Sequence, residues 1–253
     1  MKIIKIISLI LVFAIFTGIN TSAHEGLSWY LKKRGNCKPG FPEESIFISE
    51  HNGFFLDEKS NSAGNKVIYL TFDAGYENGN IEKILDIMKD EEVQGAFFIL
   101  SNLINKNPEL VCRMVDEGHL VCNHTSNHKD ISNMTKEEIV SNLETLEKKF
   151  ETCTGKKMDK YFRFPEGKYS KEALVTVESM GYTTVFWSMA YEDWDNSKQL
   201  DKSKAMKKLL DNTHEGAIVL LHPTSSTNVQ ILRELIKTWR SLGYTFGSLN
   251  DLF

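Results

Sequence analysis

Residues 67 to 80 read VIYLTFDAGYENGN. A β-prone run, Val67 to Phe72, ends in the carboxylate of Asp73, after which Ala74, Gly75 and a polar stretch break the pattern. A buried strand that delivers one carboxylate to its carboxyl end is how a parallel α/β fold builds an active site, because those ends share one face. The fold therefore turns on whether the pattern recurs.

It does recur. GAFFIL (95–100), HLVCN (119–123), YFRFP (161–165), TTVFWSM (183–189), AIVLLH (217–222) and YTFGS (244–248) have the same β-rich character. Helical patterns lie between them. In TKEEIVSNLETLEKKF, Thr135 and Glu138 form a capping box, and Ile139, Leu143, Leu146 and Phe150 recur on one face. NVQILRELIKTWRSLGY has a helix stop at Gly243. Seven strands alternating with helices predict an α/β fold, a distorted or incomplete (β/α) barrel of about seven parallel strands, with an open doubly wound sheet as the alternative.

At 253 residues and 41% hydrophobic, the chain suffices for one sizeable core. It opens with Lys2 and Lys5 before the apolar run Ile6 to Phe16, and Thr21-Ser22-Ala23 offers small residues for cleavage. Residues 1–23 thus read as an export signal, the run being shorter than the ~20 residues of a membrane span. Residues 24–66 read as a lead-in packed on the domain, and 67–253 as the catalytic domain. Removing 1–23 takes away two lysines and no acid, so the formal net charge of -4 becomes -6, which gives no reason to bind nucleic acid. The cysteines, Cys37, Cys112, Cys122 and Cys153, lack paired C-x-x-C ligand spacing and leave three disulfide connectivities open. Cys112 and Cys122 sit among apolar neighbours and read as small buried hydrophobes.

The unusual polar residues fall at strand ends. Asp73 follows the first strand and His124 the third; Arg163 lies in the fourth, Asp193 follows the fifth and His222 closes the sixth. In HTSNH, His124 and His128 are four apart, so a helical turn there would put both imidazoles on one face, able to grip one divalent ion. His119, in the apolar strand, reads as a structural histidine.

Taken in order, TFDAGY (71–76), HTSNH (124–128), RFPEG (163–167), WSMAYEDW (187–194) and IVLLH (218–222) resemble the five motifs of the polysaccharide deacetylase (NodB-homology, carbohydrate esterase) family. The set is specific although no single motif is. TFDAGYENG with WSMAYEDW resembles most the delta-lactam-biosynthetic branch, which de-N-acetylates muramic acid in spore cortex peptidoglycan.

That resemblance implies roles. Asp73 would be the base, paired with Arg163, and His222 the acid, paired with Asp193. His124 and His128 would hold a divalent metal, zinc or cobalt, while Trp194, Leu220, Tyr191 and Glu166 would contact substrate. The family's first motif usually carries a second aspartate as metal ligand; here Ala74 stands in its place, so weak metal binding is expected, unless Glu77 or Asn78 swings in. The implied partners are glycan strands of peptidoglycan, with dependence on an N-acetylmuramoyl-L-alanine amidase and no other protein. The implied location is the cell wall or extracytoplasmic space, in the spore cortex. Two other readings stay open: a deacetylase of another acetylated glycan (N-acetylglucosamine in peptidoglycan, chitin oligomers or xylan), and a non-catalytic wall-binding protein.

Overall fold

The structure is a computed structural model that describes residues 26–32, 38–61 and 66–252. The proposed export signal and Cys37 lie outside the described residues. Beside a small antiparallel pair, Leu27–Ser28 with Lys168–Tyr169, the described residues form a nine-stranded sheet in which every pairing is parallel. In chain order its strands are β1 (Gly53–Phe54), β2 (Val67–Ala74), β3 (Ala96–Ile99), β4 (Leu120–Asn123), β5 (Asp159–Phe162), β6 (Thr183–Val185), β7 (Met189–Ala190), β8 (Ala217–Leu221) and β9 (Thr245–Phe246). Their order across the sheet is β1-β6-β5-β4-β3-β2-β8-β7, with β9 added to the start of β2.

The predicted strand 183–189 is divided. Its first part, β6, pairs with β5, and its last, β7, pairs with β8 near the other edge of the sheet. Only Phe186, Trp187 and Ser188 separate them, so the sheet must curl until one stretch of chain serves both edges. The result is the incomplete barrel the sequence pattern predicts, nearly shut at that stretch. The lead-in contributes more than packing, since its Gly53–Phe54 adds β1 beside β6.

Strand alternation sorts the core. Along β2, Ile68, Leu70, Phe72 and Ala74 join the cluster between sheet and helices, while Tyr69 joins the barrel interior with Phe98, Cys122, Tyr161 and Ile218. Phe72 stacks on Phe97 at 4.8 Å. Both are wholly buried, and truncating either to alanine would cost about 3–5 kcal/mol. Thr71 and Asp73 share the register of Tyr69, which aims the carboxylate into the barrel mouth.

The helices cover the outside: α1 (Ile81–Asp90), α2 (Ser101–Lys106), α3 (Pro108–Asp116), α4 (Lys136–Thr154), α5 (Lys171–Ser179), α6 (Lys202–Asp211) and α7 (Ser226–Ser241). The capping box at Thr135 and Glu138 is present, the four predicted residues of α4 are buried, and Gly155 ends the helix in a left-handed conformation. Cys122 is buried as expected. Cys112 is not: it is half-exposed on α3, facing Cys153 of α4.

Candidate active site

The loops after β2, β4, β5, β7 and β8 meet at the carboxyl end of the barrel around a cavity of about 500 Å³. Asp73, His128, Glu166, Trp187, Trp194, Leu220 and His222 line it. Residues spread over 150 positions of sequence thus share one pocket, because parallel strands deliver every carboxyl end to the same side.

Arg163 is the beam of the site. Its guanidinium is wholly buried and donates to Asp73 Oδ1 at 2.8 Å, Thr71 Oγ1 at 2.9 Å and the Val185 carbonyl at 2.9 Å, 4.1 Å above the Phe98 ring. A buried charge is tolerated only when paired and hydrogen-bonded, and these partners meet that need. Burial alone would push the Asp73 carboxyl up; Arg163 above all, with His222, more than offsets it and holds Asp73 below the usual carboxylate range. Asp73 is therefore an anion at neutral pH.

His222 faces the opposite demand. Its Nδ1–H donates to Asp193 Oδ1 at 2.7 Å, and its backbone N–H donates to Asp193 Oδ2 at 2.7 Å. Burial lowers the imidazole, but the Asp193 hydrogen bond and charge, with Asp73 beyond, raise it above 6.5 overall. Nε2 is left for chemistry. Asn228, which sequence reasoning missed, fixes this pair: its Nδ2 donates to Asp193 Oδ2 at 2.6 Å and to the His222 carbonyl at 3.0 Å. Its only sequence signal is a place in the first turn of α7, where the Ser225 side chain accepts its backbone N–H.

The HTSNH segment meets the spacing condition in another way. No helical turn forms there; Thr125 and His128 take left-handed φ values of 72° and 58° in a loop. Side-chain acceptors impose that path. Asn123 Oδ1 takes the Thr125 N–H, Asn142 Oδ1 that of Ser126, and Thr125 Oγ1 that of His128. The loop still brings the two imidazoles edge to face, with ring centroids 5.0 Å apart. His124 donates its Nδ1–H to the Arg163 carbonyl at 2.8 Å, leaving Nε2 unprotonated 3.5 Å from Asp73 Oδ2. Burial pulls this imidazole down to about 4, so it is neutral.

Two bare lone pairs facing each other at 3.5 Å in a buried setting repel unless a cation lies near. That donor chemistry fits a divalent ion held by His124 and His128 beside Asp73. Among the described residues no group of three or more His, Cys, Asp or Glu stands arranged as a ready metal site. Ala74 is wholly buried against the helix layer and supplies nothing. Neither proposed substitute ligand is available. Glu77 accepts the N–H groups of Gly79, Asn80 and Ile81 at the start of α1, and Asn78 donates to the Thr224 carbonyl at 2.9 Å.

Of the four residues assigned to substrate, Trp194, Leu220 and Glu166 line the cavity and Tyr191 does not. Tyr191 is buried with its hydroxyl donating to Asn228 Oδ1 at 2.5 Å, so it supports the Asp193 pair instead. Glu166 has a left-handed φ of 56° and precedes Gly167, at φ 66°, where a Cβ would come within 2.9 Å of the Trp187 ring. Glycine is thus required for Trp187 to close that wall. Trp194 is 63% exposed at the rim. Nearby, Tyr76, also missed, presents an exposed ring whose hydroxyl accepts from Asn196 at 2.7 Å, tying the loop after β2 to the loop after β7.

Comparison with known proteins bears on the family and the fold. A family model described as polysaccharide deacetylase matches residues 60–185. The peptidoglycan-N-acetylmuramic acid deacetylase PdaA of Bacillus subtilis is 36% identical over 231 residues, covering 90% of this chain and 86% of that protein. Its solved structure, described as a family 4 carbohydrate esterase, superposes with a TM-score of 0.85 over 90% of this chain and 97% of the other. A family 4 carbohydrate esterase from Bacillus anthracis, 33% identical, gives a TM-score of 0.74 over 90% and 96%.

Proposed function

The chain belongs to the polysaccharide deacetylase family, and from that premise we propose that it removes the N-acetyl group of N-acetylmuramic acid in peptidoglycan strands whose peptide has been cleaved. The observation that carries this reading is the meeting of an ionised Asp73 and a proton-bearing His222 on one cavity, each with its own buried partner. Members of the family work in general with a metal ion. Here His124 and His128 would hold zinc or cobalt, whose chemistry is to polarise the acetyl carbonyl and lower the pKa of water.

The side chains then divide the proton traffic. Asp73, fixed by Arg163, takes a proton from the attacking water as its oxygen bonds to the acetyl carbon. The developing oxyanion needs donors in place, and the backbone N–H of Glu166, held by the left-handed turn, is suited to that. His222 gives its Nε2 proton to the leaving nitrogen, which departs as the sugar amine while acetate forms. Asp193 stabilises the imidazolium beforehand and keeps its Nδ1 occupied, so the proton leaves from Nε2. Trp187, Leu220 and Trp194 supply apolar surface for the acetyl methyl and the sugar face.

The amine so freed can attack the lactyl carboxyl of the same residue and close a six-membered lactam, the modification of spore cortex. This places the enzyme after an amidase and outside the cytoplasm, which the opening export-like segment supports. The test is mass spectrometry of muropeptides from amidase-treated glycan after incubation with the protein. Loss of one acetyl from muramic acid is expected. Loss from glucosamine alone would transfer the chain to another glycan, and an unchanged profile with any divalent ion would leave it a wall-binding protein.

A further inference from the structure

Cys112 lies on α3 and Cys153 in the last turn of α4, with their sulfurs 4.0 Å apart. The contact is two-sided. Cys112 Sγ approaches the Cys153 carbonyl at 3.7 Å and Cys153 Sγ the Pro108 carbonyl at 3.8 Å, so each thiol is held against the other's helix. Both are half-exposed at the helix seam, within reach of solvent, whereas Cys122 is sealed in the barrel interior. A disulfide needs the sulfurs at about 2.05 Å, so the two sulfurs, now in contact, would have to close a further ~2 Å.

We propose that Cys112 and Cys153 form a disulfide that locks α3 to α4 when the chain meets an oxidising thiol–disulfide partner. The chain between them runs through β4, the His124–His128 loop and most of α4, so the bond would close a covalent loop around both imidazoles of the active site. The chemistry is thiol–disulfide exchange. One thiolate attacks a sulfur of the oxidant's disulfide, forming a mixed disulfide and expelling one thiol. The second thiolate then attacks the cysteine sulfur of that mixed disulfide, closing the Cys112–Cys153 bond and expelling the other thiol. The two cysteines lose two electrons and two protons, and the oxidant's disulfide is reduced to two thiols. Burial and the neighbouring Cys112 raise the Cys153 thiol to about 11, which keeps its thiolate scarce and makes its step of the exchange the slower one at neutral pH. In the cell the bond depends on the exported location proposed above; in the tube it does not.

The test uses the full chain with oxidised glutathione, then alkylation, trypsin and mass spectrometry without reductant. The expected product is peptide 107–113 joined to peptide 150–156, two hydrogens lighter than their sum, with Cys122 in peptide 114–129 still alkylated. The oxidised chain should melt roughly 5–10 °C higher than the reduced one, a gain that Cys112→Ser and Cys153→Ser each abolish. Full alkylation of both cysteines after oxidant, or a bridge from either to Cys37, would overturn the proposal. The peptide map reads the bond on the wild-type chain, so the conclusion does not depend on either variant folding, nor on which glycan the enzyme acts on.

Discussion

His119 and His124 flank the same strand, one just before β4 and one just after it, and burial pulls both imidazoles down to about 4. Only their surroundings separate them. At the amino end, His119 accepts the Gly95 N–H on Nδ1 at 3.1 Å, packs edge-on against Phe97, and has no partner for Nε2 among the described residues. At the carboxyl end, His124 has Asp73, Arg163 and His128 around it. The cavity beside His119 is the larger, about 680 Å³ against 500 Å³, but the ion pair on its lining, Lys89 with Glu117 at 3.3 Å, has an exposed lysine. A perturbed imidazole and a large cavity therefore do not point to an active site. An acid and a base that share one cavity, each held by its own buried partner, do.

The hardest test of that contrast is Asp73→Asn. It should lower kcat for acetate release by about 10³-fold or more with KM little changed; retention of most activity would remove the carboxyl end as the chemical end. His124→Gln should lose bound metal and at least ~10²-fold in rate, as chelator should do to the parent protein, while His119→Gln should keep its metal; elemental analysis of the purified proteins distinguishes the ends directly.

Asp193→Asn is subtler. The parent's kcat/KM should fall as pH rises through the raised value of His222, above 6.5, because the acid is then lost. Without the aspartate charge that alkaline limb should move to lower pH and the maximal rate drop about 10- to 100-fold, whereas a simple structural defect would lower the rate and leave the limb in place. A pH–rate profile separates the two.

The smallest effect concerns stability, to which both ends contribute alike. A histidine whose folded value is depressed must take up a proton as the chain unfolds, so stability is intact above 6.5 and declines as pH falls from 6.5 toward 4. The loss approaches roughly 3 kcal/mol per histidine. Thermal melts should show this decline. His119→Gln should halve it and hold kcat/KM within about twofold.

Much of this could be read in the chain itself. The rhythm of apolar runs announced the barrel, because burying strands on both faces demands that composition, and Asp73, Arg163, Asp193 and His222 stood out as charges where such strands end. The capping box at Thr135 was legible because it depends on neighbours three residues apart. Tyr191 was misplaced because an aromatic beside a site and one beneath it have the same sequence context. Its hydroxyl is committed to Asn228, 37 residues away. The path of HTSNH was not legible, because a spacing of four is compatible with a helical turn, while the loop is set by Asn123 and Asn142, whose amide oxygens hold its N–H groups.

The sequence by itself determined the class of fold, since periodicity is a local property, and its motifs named the candidate reacting groups by resemblance. Tertiary structure alone decided that Asp73, Arg163 and His128 gather around His124 while His119 meets the Gly95 N–H and the Phe97 ring. It also decided that Ala74 turns to the helices and that Cys112 faces Cys153. Each of these is a matter of distance between segments far apart in the chain, fixed by how the sheet curls and the helices pack on it.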